Sequence, residues 1–292
     1  MMGGLSEYGR LSAVLMMHAR DAFVSDERIA RQWKPLNYSA PPDFSRALDE
    51  YDRFVEIVAG SGAEIVHLRS DGSLTLDSIY TRDASVSADA GVILCSMGKE
   101  ARSGEPAVQG RELGRLGWSI EGAIAPPGLL EGGDLIRLDR RTVVVGEGRR
   151  TNAEGIRQLR KMSAAFCDDL VVFPLPERRG QHDVMHLMSL ISPVDKDLAV
   201  VYAPLLPSAC RTFLLDRGYI LVEVPDEEFE TMGTNVLALA PRECVMLDGN
   251  PRTRNALEAA GARVKVYEGT EISLKGGGGP TCLTRPLARA ET

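Results

Sequence analysis

Phe44-Ser45-Arg46-Ala47-Leu48-Asp49-Glu50-Tyr51-Asp52-Arg53-Phe54-Val55-Glu56-Ile57-Val58-Ala59-Gly60-Ser61-Gly62-Ala63-Glu64-Ile65-Val66-His67-Leu68 changes period once along its length. Phe44, Ala47, Leu48, Tyr51, Val55 and Val58 recur at helical spacing and share one face. Gly60 and Gly62 then stop the helix, because glycine closes a helix end without a steric penalty. Glu64 to Leu68 follows as a short strand with β-branched residues at its centre.

The same order of helix, small-residue break and strand returns along the chain. Arg111 to Ala123 carries Leu113 and Leu116 on its helix, breaks at Gly117 and extends through Trp118-Ser119-Ile120. Asn152 to Leu175 ends in Leu170-Val171-Val172-Phe173-Pro174. Ala209 to Pro225 breaks at Gly218 before Tyr219 to Val224, and Thr253 to Tyr267 breaks at Gly261 before Ala262 to Tyr267. Further strands are predicted between the copies, at Leu11–Met16, Val92–Cys95, Leu135–Leu138, Thr142–Val145, Leu198–Tyr202, Val236–Leu239 and Val245–Leu247. A module returning about every fifty residues implies a solenoid or a closed ring. An ordinary doubly wound α/β sheet is the plainer alternative. No long linker or charge block divides the chain, so residues 1–292 read as one α/β domain with internal pseudo-symmetry.

Composition narrows the function. The 292 residues are 44% apolar, enough for a large core. A net charge of -7 disfavours nucleic acid, whose phosphates it repels, but not a small cation. No basic stretch followed by an apolar run opens the chain, so no signal peptide is expected. No run approaches the roughly 20 apolar residues that cross a bilayer, so no membrane partner is expected. Cys95, Cys167, Cys210, Cys244 and Cys282 are dispersed, which fits reduced thiols in the cytoplasm. A homo-oligomer stays open.

A ring would bring the polar residues beside its inner strands to one axis. The candidates are Asp77-Ser78-Ile79-Tyr80-Thr81-Arg82-Asp83, Glu131-Gly132-Gly133-Asp134, Gln181-His182-Asp183-Val184-Met185-His186, Met232-Gly233-Thr234-Asn235 and Lys275-Gly276-Gly277-Gly278-Gly279-Pro280-Thr281-Cys282. Alone, most of these read as turns, and Met232 to Asn235 reads best as a plain turn. The glycine loop lets a ligand approach the backbone and sets Cys282 where a nucleophile would stand. His182 and His186, four apart, leave a zinc site open, although no third ligand follows from spacing.

Together these residues suit one chemistry. Carboxylates grip a planar guanidinium through paired hydrogen bonds. A cysteine thiolate can attack its carbon, and a histidine can protonate the departing amine and then activate water. A non-catalytic guanidine-binding protein is the alternative of another class. The segment His18 to Ser25, after the first strand, is the candidate lid.

On Glu131-Gly132-Gly133-Asp134, Arg150-Thr151-Asn152, His186-Leu187 and the glycine loop ending Cys282-Leu283-Thr284, the chain resembles the guanidino-group-modifying superfamily. That superfamily has the pentein or α/β-propeller fold and includes dimethylarginine dimethylaminohydrolase, arginine deiminase and the arginine:glycine amidinotransferases. The resemblance runs from about Leu11 to Pro286 and implies five ββαβ modules with pseudo-fivefold symmetry. It implies Cys282 as nucleophile, His186 as general acid and base, and Glu131 as the carboxylate that orients His186. Asp83 would grip the guanidinium, Asp77 and Asp134 would be substrate-binding acids, Arg150 would bind the substrate carboxylate, and Arg102 would be a second carboxylate binder. It implies no cofactor, no metal and a small guanidino substrate.

Details divide the substrate reading. Asp77-Ser78-Ile79-Tyr80 resembles the dimethylarginine hydrolases, whereas Thr81-Arg82-Asp83 and the glycine loop are closer to the deiminases. Deiminases generally carry an added helical domain, for which this chain has no room. Pro280-Thr281 departs from the amidinotransferase pattern. The expectation is a hydrolase of Nω-methylated arginine, with a deiminase or amidinotransferase as runner-up.

Overall fold

The computed structural model describes residues 6–69, 72–176 and 185–290. The first module runs from β1 (Leu11–Met16) through α1 (Ala19–Phe23), α2 (Asp26–Gln32) and α3 (Phe44–Ala59) to β2 (Glu64–His67). The second holds β3 (Ser85–Ser87), β4 (Gly91–Leu94), α4 (Glu105–Arg115) and β5 (Ser119–Ala123). The third holds β6 (Leu135–Arg137), β7 (Thr142–Glu147), α5 (Ala153–Ser163) and β8 (Asp169–Pro174). The fourth holds β9 (Ile191–Asp195), β10 (Leu198–Val201), α6 (Ser208–Asp216) and β11 (Ile220–Glu223). After α7 (Asp226–Phe229), the fifth holds β12 (Val236–Ala240), β13 (Glu243–Leu247), α8 (Pro251–Ala259) and β14 (Arg263–Tyr267). The last strand, β15 (Arg285–Arg289), returns to the first module.

Each module is a three-stranded sheet with one pattern. A first strand pairs antiparallel with the middle strand, a helical crossover follows, and the third strand lies parallel to the middle one. In the first module β15 supplies the first strand, antiparallel to β1, so both ends of the chain meet in one sheet. First strands also touch across modules, β9 against β12 and β15 against β3. This is the ββαβ propeller expected from the sequence, not a doubly wound sheet.

The helix breaks follow from backbone geometry. Gly62, Gly117, Gly218 and Gly261 have φ of 90°, 86°, 81° and 88°, the left-handed region that glycine enters freely. Asp43 caps α3 through the Arg46 N–H, and Asn152 caps α5 through the Gly155 N–H. Along α3, Ala47, Tyr51, Phe54 and Val58 are fully buried, while Phe44, Leu48 and Val55 flank them. Burying such side chains contributes about 1.5–3 kcal/mol each for the larger ones.

Two sequence readings shift. The second helix starts at Glu105, ahead of Arg111, because Pro106 fits the first turn, where no N–H bond is required. Leu116 caps that helix and is exposed, and is not part of its buried face. The strands β3, β9 and β15 carry Ser, Pro, Asp and Arg, and so escape a search for apolar runs. No helix among the described residues is long and apolar enough to cross a membrane.

Candidate active site

The first strand of every module is preceded by a polar residue that faces one common centre. Asp83 stands just before β3, Glu131 before β6, His186 before β9, Asn235 before β12 and Cys282 before β15. The propeller therefore gathers residues spread over 200 positions of sequence. Asp83, His186, Asn235 and Cys282 line a cavity of about 310 Å³, together with Asp77, Tyr80, Lys99, Arg102, Arg150 and the glycine loop. Glu131 is completely buried behind His186.

His186 is held from two sides. Its Nε2 lies 2.8 Å from Glu131 Oε2, and its Nδ1 lies 3.8 Å from Asp83 Oδ1. Glu131 also accepts from the Gly98 and Lys99 backbone N–H groups, at 2.8 and 3.2 Å, and from Arg150 Nη1 at 2.9 Å. Asp83 accepts from the Gly133 N–H at 3.1 Å and from Arg102 Nη1 at 2.5 Å. The glycine pair after Glu131 makes this approach fit, since a Cβ on Gly133 would lie 2.6 Å from His186 Nδ1 and 2.8 Å from Asp83 Oδ1.

Cys282 is organised by Asn235. The Asn235 Nδ2 lies 3.6 Å from Cys282 Sγ. Its Oδ1 accepts from the Thr281 N–H at 3.0 Å and from Thr281 Oγ1 at 2.9 Å. The glycines leading to Cys282 are required by close approach to protein rather than to ligand alone. A side chain at Gly276 or Gly278 would collide with Tyr80, and one at Gly279 would meet Asn235 Cγ at 2.5 Å.

Charges set the resting proton positions. Burial works against the imidazolium of His186, but Asp83, Asp134 and Glu131 outweigh it and raise its pKa to about 9. Burial would raise Glu131, yet the His186 hydrogen bond and charge, with Arg150 and Arg102, hold its carboxyl well below the usual range. Burial pushes the Cys282 thiol up and Asp83 adds to this, against hydrogen bonds from Thr281 and Asn235 and the charge of Arg82. At neutral pH the site thus holds an imidazolium on His186 and a thiol on Cys282.

Several expectations change in detail. Asp134 does not line the cavity. Its Oδ1 accepts from the Leu187 N–H at 3.0 Å and its Oδ2 from Thr151 Oγ1 at 2.7 Å, so it braces the backbone beside His186. Burial raises its pKa to about 6, against the His186 charge and these bonds. Arg102, expected as a second carboxylate binder, lines the cavity but gives its donors to Glu105, Asp83 and the Tyr80 carbonyl. Burial disfavours its charge, but Glu105 and Asp83 more than offset this. Asp77 faces the cavity with Lys99 Nζ 2.7 Å away. Residues 18–25 do not line the cavity: Ala19, Ala22 and Phe23 anchor that segment in the core of the first module. His182 lies outside the described residues.

Sequence reasoning named Asn235 among the module-start clusters but read it as a plain turn, and it passed over Lys99. Asn235 occupies the module position that Asp83, Glu131, His186 and Cys282 share, and that equivalence was its signal. Lys99 follows β4 in a stretch with no such marker.

Comparison with known proteins agrees with this fold. The family described as N,N dimethylarginine dimethylhydrolase, eukaryotic, matches residues 20–289. The chain is 28% identical over 221 residues to the N(G),N(G)-dimethylarginine dimethylaminohydrolase of Streptomyces coelicolor, covering 75% of this chain and 78% of that protein. It is 28% identical over 296 residues to the arginine deiminase of Mycobacterium marinum, covering 85% and 71%. In fold it is similar to dimethylarginine dimethylaminohydrolase (DDAH) from Pseudomonas aeruginosa, solved as a cysteine-to-serine mutant complexed with citrulline. The TM-score is 0.75 at 21% identity, over 94% of this chain and 99% of that one. With its propeller and the family match along nearly its whole length, the chain belongs to the N,N dimethylarginine dimethylhydrolase family of guanidino-group-modifying enzymes.

Proposed function

We propose that this protein hydrolyses an Nω-methylated arginine to citrulline and methylamine or dimethylamine, with Cys282 as nucleophile. Residues 1–292 act as one catalytic domain in the cytoplasm, without cofactor or metal, on a small guanidino substrate. The observation that carries the reading is the His186–Glu131 pair at 2.8 Å, beside Asp83 and Cys282 around one cavity.

The substrate guanidinium binds against the carboxylate of Asp83, and Arg150 and Asp77 take the amino-acid end. The bound cation draws the thiol proton off to solvent, because a positive charge beside sulfur favours thiolate. Sulfur adds to the guanidinium carbon, and His186 gives its proton to the departing amine as the C–N bond breaks. This leaves a thiouronium on Cys282. Neutral His186 then takes a proton from water, hydroxide adds to the same carbon, and the C–S bond breaks with its electron pair on Cys282, which takes up the O–H proton as the urea group of citrulline forms. Glu131 steadies the imidazolium through both transfers.

Arginine deiminase relatives support a second reading, arginine to citrulline and ammonia. A citrulline assay with arginine, Nω-monomethylarginine and asymmetric dimethylarginine in parallel tests both. Turnover of the methylated substrates alone is expected. Turnover of plain arginine with ammonia release selects the deiminase, and guanidino transfer to an added amine selects an amidinotransferase.

A further inference from the structure

A second, smaller cavity of about 20 Å³ has Arg82, Arg137, Arg285 and Arg289 in its wall, with Glu7 as the one carboxylate among its described lining residues. The four guanidiniums come from separate parts of the propeller. Arg82 precedes β3, Arg137 ends β6, and Arg285 and Arg289 sit on β15. Strand alternation puts Arg285 and Arg289 on the same face of β15. All four are at least nine-tenths buried, at 1%, 5%, 3% and 2% exposure.

Their donors are only partly used. Arg82 gives Nε to the Thr281 carbonyl at 3.0 Å and Nη1 to Glu7 at 3.2 Å. Arg285 gives Nε and Nη2 to the Arg82 carbonyl, and Arg289 gives Nη1 to the carbonyls of Gly9 and Ala238. Arg82 Nη2, Arg289 Nε and Arg289 Nη2 have no hydrogen-bond partner among the described residues. Arg137 Nη1 also has none and faces Asp89 only at 3.9 Å. Buried donors left unmade are rare, and buried charges are normally paired.

We propose that this cavity is a binding site for one monovalent, halide-sized anion such as chloride, held by the open donors of Arg82 and Arg289. Four arginines, with Glu7 in the wall and Asp89 3.9 Å from Arg137, leave a surplus of positive charge that one such anion reduces. The enclosed space is on the scale of one water molecule, which favours a single small anion over phosphate, sulfate or a carboxylate ligand. The cluster is also electrostatically strained as it stands. Burial and the charge of Arg82 push Arg285 down to about 9 against the pull of Glu7, and burial pushes Arg289 down to about 10.

Crystals of the whole protein grown in bromide test the site directly. The expected result is an anomalous peak within hydrogen-bonding distance of Arg82 Nη2 and Arg289 Nη2. Water alone at that point, with bromide bound elsewhere on the same molecule, overturns the proposal. Melting in chloride against gluconate at matched ionic strength tests it in solution. Chloride should raise the melting temperature of the wild type by about 2–4 °C, and Arg289→Gln should lose that difference. An equal response in both proteins overturns the proposal, and the bromide map decides alone if Arg289→Gln does not fold.

Discussion

His186 Nε2 and Glu131 Oε2 stand 2.8 Å apart, with the carboxylate completely buried and the ring facing the cavity. Asp83, Asp134 and this pair together make the histidine a standing acid. Its pKa, raised from 6.5 to about 9, means that the folded state holds the proton more tightly than the unfolded chain. The resulting stability is fully present below pH 6.5 and is lost as pH rises through about 9. Glu131→Gln should return the His186 titration toward the ordinary imidazole range and cut kcat by about 10²–10⁴-fold. Proton NMR of the ring and the pH dependence of kcat check this. A titration still near pH 9 in the variant would break the assignment.

Cys282 should react slowly at rest. Burial and Asp83 keep its thiol above the ordinary range, so iodoacetamide labelling of the free protein should have an alkaline midpoint. An unreactive guanidinium analogue, added at saturating concentration with a small labelling reagent, should move that midpoint to lower pH. An unchanged profile argues against cation-triggered activation. Cys282→Ser should abolish turnover while leaving the fold intact.

Asn235→Ala removes the amide that meets Cys282 Sγ and leaves the Thr281 N–H unpaired. Stability should fall by about 1–3 kcal/mol, the scale for a buried donor left unsatisfied. The thiol should titrate still higher, so kcat/KM should fall more at pH 7 than at pH 9. Urea melts and a pH series of initial rates provide the two readings.

Gly133→Ala introduces a methyl group 2.6 Å from His186 Nδ1 and 2.8 Å from Asp83 Oδ1. One of the two side chains must move, so activity should drop by at least about 10²-fold, as expected when reacting groups are displaced by an ångström. Circular dichroism should remain that of the wild type. Full activity would show that the approach of these three residues is not needed.

Asp134→Asn separates positioning from binding. If Asp134 holds the Leu187 backbone and not the substrate, KM should stay near the wild-type value while kcat falls. A large rise in KM with kcat unchanged would return Asp134 to the substrate-binding set.

Much of the architecture is written in local signals. Phe44 to Leu68 shows its helix, turn and strand because Gly62 closes the helix at positive φ and the apolar face repeats along α3. The inner strands left weaker traces, since Ser85, Ser87, Arg285 and Arg289 satisfy polar partners in the interior instead of presenting an apolar run. Glu131, His186 and Cys282 were legible through their neighbours, the glycines above all. Asn235 was placed with them by module position but read as a turn, because an amide before a strand looks like any turn. Asp134 and Arg102 read from sequence as substrate binders, and only the structure shows their partners Leu187, Thr151, Glu105 and Tyr80.

The strand that pairs the chain's end with its beginning starts three residues after Cys282. During synthesis β15 emerges after Asp83, Glu131, His186 and Asn235. The sulfur of Cys282 is therefore seated only when β15 has paired with β1. Latching the circle and arming the reactive thiol become a single event, so a truncated product lacking this clasp is left without both.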